Sequence, residues 1–265
     1  MLTLLHLSDI HFRTPFCRTN HDPDAPYRTA LLMDAAERSQ SLGGVNAILV
    51  GGDIAFKGHR EEYEVALEWL YDLADRCGCA RTRIFVIPGN HDVDRDIIKR
   101  QPSVRNAQQA VLRAPLGKTR EREFHGQLQN GDTGRALLRP LEAYNEFAAR
   151  LDCNLYAPDR FFWRHVIAID DTTGLCIHGL TSTVLSGAWD PEGVDDRRGE
   201  LYLSPFQTAI APEYNVLNLV MCHHPAEWFS DWGTVNEELC ERAEIHLLHH
   251  DHRQGLPPPA YQYAG

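Results

Sequence analysis

Short apolar runs that stop abruptly at polar residues punctuate this chain. LTLLHL at 2–7 gives way to SDIH, VNAILV at 45–50 to GGD, and RIFVI at 83–87 to PGNHD. An apolar run of this length bounded by turn residues predicts a buried strand. Between the runs the period changes. Residues 27–42 predict a helix closed by Gly43 and Gly44. HREEYEVALEWLYDLADRC carries apolar residues at 63, 66, 67, 70, 73 and 74, the one-sided stripe of an amphipathic helix. The first 92 residues therefore predict β-loop-α-β-α-β, with a polar motif directly after each strand. In parallel α/β sheets, ligands sit beyond the carboxyl ends of the strands.

From about 93 to 160 the strand pattern disappears. NAQQAVLRA and GRALLRPLEAYNEFAARL read as helices, with Pro140 as a break or a helix start, so this stretch predicts a helical insertion or cap. Strands return at FFWRHVIAID (161–170) and GLCIHGLTS (174–182), joined by a turn, and at VLNLVMCHHP (216–225), which ends in a polar motif. TVNEELCERA predicts a short helix, and EIHLL (244–248) a last strand running into HHDHRQG. Residues 254–265 are a Pro-rich tail or linker.

The 265 residues suit one large domain with an insertion, and the hydrophobic (43%) and charged (24%) fractions are ordinary for a globular protein. The net charge of −11 argues against nonspecific binding to anionic nucleic acid or membrane surfaces. Residues 95–122 depart from it, with eight basic and two acidic side chains. They read as a solvated helix face, or as a basic rim that attracts an anionic substrate. The seven cysteines are odd in number and scattered, and CGC at 77–79 is too tight for a zinc knuckle. They are expected to be reduced thiols of a cytoplasmic protein rather than a disulfide framework. No run approaches the roughly 18–20 apolar residues of a membrane span, and the first residues lack the basic region of a signal peptide. No membrane partner is expected.

Ligand-type side chains follow five of the predicted strand ends: Asp9 and His11; Asp53; Asn90 and His91; His223; and His250 with His252. Each motif alone has a bland explanation, since Asp and Gly-Asp are ordinary turn residues. Five in order, each directly after a strand, are hard to produce by chance. Residues spaced as DxH or HxH can point the same way from extended backbone. Asp, His and Asn without Cys favour manganese, iron or zinc over a thiolate site. The donors are too many for one tetrahedral ion and fit two. Two ions about 3.5–4 Å apart can clamp an anionic tetrahedral centre and acidify a bound water.

The series DIH (9–11), GGD, GNHD (89–92), HHP (223–225) and HHDH (249–252) resembles the calcineurin-like metallophosphoesterases. GGDIAFKGHREEYEVALEWL together with IFVIPGNHDVDRD is similar to bacterial, phosphodiesterase-type members that carry an N-terminal phosphoesterase domain and further sequence beyond. The resemblance implies a four-layer α/β/β/α sandwich over residues 1–253, with the helical insertion at about 93–160. It implies two divalent metal ions, manganese favoured. Asp9, His11 and His252 would hold the first, Asp53 would bridge, and Asn90, His223 and His250 would hold the second. His91 would stabilise the phosphoryl oxygens or protonate the leaving alkoxide, and Asp92 would orient His91. Arg95 and His224 are candidate substrate contacts, His224 reading alternatively as a packed neighbour. The activity implied is hydrolysis of a phosphodiester, a nucleotide or nucleic acid, through a metal-bound hydroxide. A phosphomonoesterase is the alternative, as is a weakly active or inactive module of a larger assembly. Two features depart from the family pattern. His249 stands where Gly is usual, and only a short tail follows the last motif, leaving room for a protein partner or a further domain.

Overall fold

The computed structural model describes residues 1–190 and 196–249. The first sheet is parallel, in the order β1 (Leu4–Leu7), β2 (Ala47–Val50), β3 (Ile84–Val86). Leu4 pairs with Ala47 and Ile48 with Ile84. β2 lies between the other two and is buried at every position, so AILV shows no alternation. Parallel neighbours need crossover connections. These are α1 (Ala25–Leu42), which ends on left-handed Gly43, and α2 (Arg60–Arg76), whose buried stripe includes Tyr63, Ala66, Leu70, Leu73 and Ala74.

The second sheet runs β4 (Trp163–Ala168), β5 (Gly174–Gly179), β6 (Val216–Cys222), β7 (Ile245–Leu248). β4 and β5 form the expected antiparallel hairpin, and the other pairs are parallel. Both strands of the hairpin are shorter than the sequence pattern. Phe161 is buried before β4 begins, against Phe124 of the insertion, and Thr181 and Ser182 leave the sheet after β5.

Alternation in β6 defines the layers. Leu219 and Met221 join the core shared with the first sheet, whereas Val220 and Cys222 pack with Val235 and Leu239 of α8 (Trp232–Arg242). The result is the α/β/β/α arrangement. The second sheet and the insertion are also tied to the first sheet by polar contacts: the Trp163 indole and the Tyr144 hydroxyl both donate to the Val86 carbonyl, each at 3.0 Å.

The stretch predicted to be a helical insertion holds α3 (Arg95–Arg100), α4 (Pro102–Arg113), α5 (Lys118–Gln129), α6 (Gly131–Leu138) and α7 (Glu142–Ala148). Pro140 sits in a short 3-10 turn between α6 and α7, where the sequence placed a break. Asp94 and Asn130 cap α3 and α6 by accepting from backbone N–H groups of the first turn. The insertion leans on the second sheet's loops: Gln108 donates to the Val184 carbonyl at 3.0 Å, and Arg120 to Ser230 Oγ at 2.9 Å.

The basic stretch is not a continuous rim. Arg120 is buried and donates to the carbonyls of Leu112 and Ala114, and Arg95 pairs with Asp196. Lys99 and Arg100 pair with Asp96. Among the described residues no helix is long and apolar enough to cross a membrane.

Candidate metal centre

The loops after β1 and β2 are laced together before any side chain is considered. Asp9 N donates to Gly52 O (3.1 Å), His11 N to Asp53 O (3.0 Å) and Phe12 N to Ile54 O (2.8 Å). Asp9, His11 and Asp53 all take left-handed backbone, with φ of 56°, 52° and 53°. The DxH pair is therefore not presented from extended backbone, as its spacing suggested. Left-handed non-glycine residues cost about 1–3 kcal/mol each and persist only where their surroundings fix them. Three together at one sheet edge mark a built site.

Asp53 is at its centre and fully buried. His11 Nε2 lies 3.8 Å from Asp53 Oδ2 and 4.0 Å from Asp9 Oδ1. On the other side, His223 Nε2 lies 3.5 Å from Asp53 Oδ1 and 3.1 Å from Asn90 Oδ1. One carboxylate thus faces two groups of donors. Gly89 permits this, because a β-carbon there would collide with Asp53 Oδ1 and the Asp53 backbone nitrogen.

Hydrogen bookkeeping identifies what these donors fit. His223 Nδ1 is 2.8 Å from the Gly51 carbonyl, which can only accept, so Nδ1 carries the hydrogen. Burial holds the His223 pKa below its ordinary value, keeping the ring neutral and leaving a lone pair on Nε2. Nε2, Asn90 Oδ1 and Asp53 Oδ1 then converge as three acceptors. Asp53 Oδ2 is buried without a hydrogen-bond partner. Burial, and next the charge of Asp92, push the Asp53 carboxyl well above the usual carboxylate range. A cation reverses each of these penalties, so the residues present fit divalent metal. The ligand atoms of His11, Asp53 and His91 all lie within 4.8 Å of one another.

The remaining sequence candidates take varied positions. His91 Nδ1 donates to the Phe56 carbonyl at 3.0 Å, and its ring stacks on Phe56 at 5.0 Å. Asp92 is turned away from that ring, contrary to the orienting role expected for it. Its carboxylate accepts from Ile54 N (3.3 Å), Ala55 N (2.9 Å), Gly89 N (2.8 Å) and Tyr63 OH (2.9 Å), bracing the two motif loops. His224 is fully buried, with Nδ1 2.8 Å from Ser182 Oγ and Nε2 3.8 Å from Asp196 Oδ2. This hydroxyl–imidazole–carboxylate series is no nucleophilic triad for an external substrate, since Ser182 is itself buried. Arg95 reaches the same Asp196 at 3.4 Å and the Asp190 carbonyl at 3.2 Å. Arg95 and His224 are therefore joined through Asp196.

His249 closes the described chain, its backbone N–H donating to His223 O at 3.1 Å. Its Nε2 lies 3.2 Å from His6 Nε2, and burial, with the His6 and His223 rings beside it, pushes its pKa down to about 3. His250 and His252 lie outside the described residues. Sequence reasoning missed Phe56, Gly51, Tyr63 and Asp196. None has a motif of its own, and each acquires its place only through the path of a loop.

Two sheets with ligand-type side chains at their carboxyl edges, gathered round one buried carboxylate, define a metal-dependent phosphoesterase. The sequence pattern of the family described as calcineurin-like phosphoesterase matches residues 2–254, and the chain belongs to that family. The family implies a dinuclear divalent metal site. Among curated proteins none matches the chain.

Proposed function

We propose that the chain is a cytoplasmic, dinuclear-metal-dependent phosphodiesterase acting on a nucleotide or nucleic acid. The observation that carries the metal reading is the division of Asp53, with Oδ2 toward His11 and Oδ1 toward His223 and Asn90. Asp9, His11 and His252 would hold one ion, Asn90, His223 and His250 the other, and Asp53 both. Manganese suits this oxygen- and imidazole-rich set. When bound, such a pair supplies Lewis-acid charge to the phosphoryl oxygens and acidifies a coordinated water.

The chain's own residues do the rest. Gly51 O keeps the His223 hydrogen on Nδ1, so Nε2 is the ligating atom. His91, with Nδ1–H committed to Phe56 O, presents Nε2 to the substrate; as the imidazolium it gives the Nε2 proton to the leaving oxygen and is left as the neutral Nδ1–H ring. Charge supports a diester over a monoester. A phosphate monoester carries close to two negative charges at neutral pH and a diester one. Arg95 is already neutralised by Asp196, and Lys99 and Arg100 are paired with Asp96.

The test compares bis(p-nitrophenyl) phosphate with p-nitrophenyl phosphate, then cyclic nucleotides, RNA and DNA, all with manganese. Diesters are expected to give the higher kcat/KM, and faster monoester turnover would overturn the diester reading. A steep salt dependence marks a nucleic-acid substrate and a shallow one a small nucleotide.

A further inference from the structure

We infer that Phe56, clamped by Arg13, is the residue that positions His91. The inference rests on the phosphoesterase reading for what His91 does, and on geometry alone for how His91 is held.

The His91 ring is fixed on several sides. Its backbone N–H donates to Asp53 Oδ1 at 2.9 Å, and its Nδ1–H to Phe56 O at 3.0 Å. The Phe56 ring lies nearly parallel to the imidazole, with centroids 5.0 Å apart and planes 26° apart. The His11 ring meets it edge-on at 4.8 Å. Because a carbonyl only accepts, the bond to Phe56 fixes the tautomer and assigns Nε2 to the substrate side. Among the described residues no carboxylate does this. Asp92, the nearest in sequence, spends its oxygens on Ile54, Ala55, Gly89 and Tyr63.

Phe56 is itself held in place. Its N–H donates to Phe12 O at 3.0 Å. The Arg13 guanidinium carbon lies 3.7 Å from the centre of its ring, a close cation–π contact. Arg13 Nε is buried and makes no hydrogen bond, so the contact with the ring is what this part of the side chain gains from its position. The segments carrying Arg13 and Phe56 are locked to each other by buried Glu62. Its carboxylate accepts from Thr14 N (3.0 Å), Lys57 N (3.0 Å) and His59 N (3.1 Å). The column Arg13–Phe56–His91 thus runs from a braced loop to the reacting edge of the site.

The experiment uses the full chain and the variants Phe56→Ala, Phe56→Tyr, Arg13→Ala and Arg13→Lys. In the metal-free protein, nitrogen–proton NMR reads the His91 tautomer without any turnover. Wild type and Phe56→Tyr are expected to hold the hydrogen on Nδ1, and Phe56→Ala, which keeps the main-chain carbonyl but loses the ring packed against the imidazole, to weaken that preference. With manganese, Phe56→Ala is expected to lower kcat about 10²-fold on diesters with alkyl leaving groups, with little change in KM. It is expected to have a far smaller effect on p-nitrophenolate esters, whose leaving group needs no proton. Arg13→Ala repeats the pattern more weakly, Arg13→Lys restores part of it, and both variants carry the test if Phe56→Ala does not fold. An unchanged tautomer and kcat in Phe56→Ala would overturn the inference. So would an Arg13→Ala that raises KM and leaves kcat alone, since Arg13 would then be meeting substrate. A wild type inert on every phosphoester would refute the phosphoesterase reading, and the tautomer comparison would still decide the positioning.

Discussion

The imidazole of His249 fills the space that a β-carbon on Gly51 would need: Nε2, Cδ2 and Cε1 of that ring are the atoms such a carbon would meet first. Gly51 also offers its carbonyl to His223 Nδ1 at 2.8 Å, and His249 N–H donates to His223 O at 3.1 Å. The three residues form one packed unit. Overpacking a buried site costs about 1–3 kcal/mol, so Gly51→Ala is expected to destabilise the protein by that amount in chemical denaturation. In a His249→Ala background most of this cost should vanish, a coupling of about 1 kcal/mol or more. An equal cost in both backgrounds would mean that atoms other than His249 oppose the methyl group.

Asp92 is expected to be a stability residue first. Removing its carboxylate strands three buried N–H groups and leaves the Tyr63 hydroxyl only its longer bond, 3.3 Å, to the Asp92 carbonyl. Unsatisfied buried donors cost about 1–3 kcal/mol each, so Asp92→Ala should lose at least about 3 kcal/mol. Tyr63→Phe, which leaves the carboxylate its backbone donors, should lose only about 1 kcal/mol. Urea denaturation of the two variants measures the contrast, and an Asp92→Ala as stable as wild type would sink the account.

The sheets were legible in the sequence because a buried parallel strand writes itself as a short apolar run, as AILV does at 47–50. The motif residues were legible because each follows such a run. α5 was not. Its buried face consists of Arg120, Phe124 and Leu128 in an otherwise polar stretch, so the stripe is too thin to read, and one of its members is a charged residue satisfied by carbonyls. The partners of His91 and Arg95 were also hidden. Spacing made Asp92 the neighbour of His91, yet the chain turns so that the Phe56 carbonyl, 35 residues away, takes that place. Arg95 read as a candidate substrate contact because its counter-charge, Asp196, is 101 residues distant. Contacts between loops depend on how two strand ends face each other, and no local pattern encodes that.

The thiols offer a separate check. Burial pushes Cys79 up to about 11 and Cys153 and Cys222 up to about 12, and it raises Cys17, Cys77 and Cys176 as well. A raised thiol pKa lowers the thiolate fraction at mildly alkaline pH, and the thiolate is the nucleophile. Cys240 is exposed and Cys17 half-buried. Iodoacetamide at pH 8 should therefore modify Cys240 first, then Cys17 slowly, and the remaining five only after denaturation. Mass spectrometry of the native protein gives the order directly, and early labelling of Cys153 or Cys222 would contradict the packing described.

Metal removal should expose the electrostatic burden of Asp53. Its folded pKa is raised above the ordinary 3.8, by burial first and by Asp92 next. A carboxyl so shifted binds its proton more tightly folded than unfolded. Its contribution to stability is complete below the unfolded value and is lost as pH rises through the folded one. His223 acts in the opposite sense: burial lowers its folded pKa below 6.5, so its contribution is lost as pH falls below that value. The Asp53 share is therefore read as the difference between wild type and Asp53→Asn. In EDTA, wild type is expected to lose stability relative to Asp53→Asn between pH 5 and pH 7.5. Manganese at about 100 times its Kd should return about 2.7 kcal/mol to wild type at the higher pH, and far less to Asp53→Asn. Denaturant midpoints at the two pH values, with EDTA or manganese, test both halves. A metal-free wild type that gains on Asp53→Asn as pH rises would show that Asp53 is already neutralised by the protein, and that no cation is needed there.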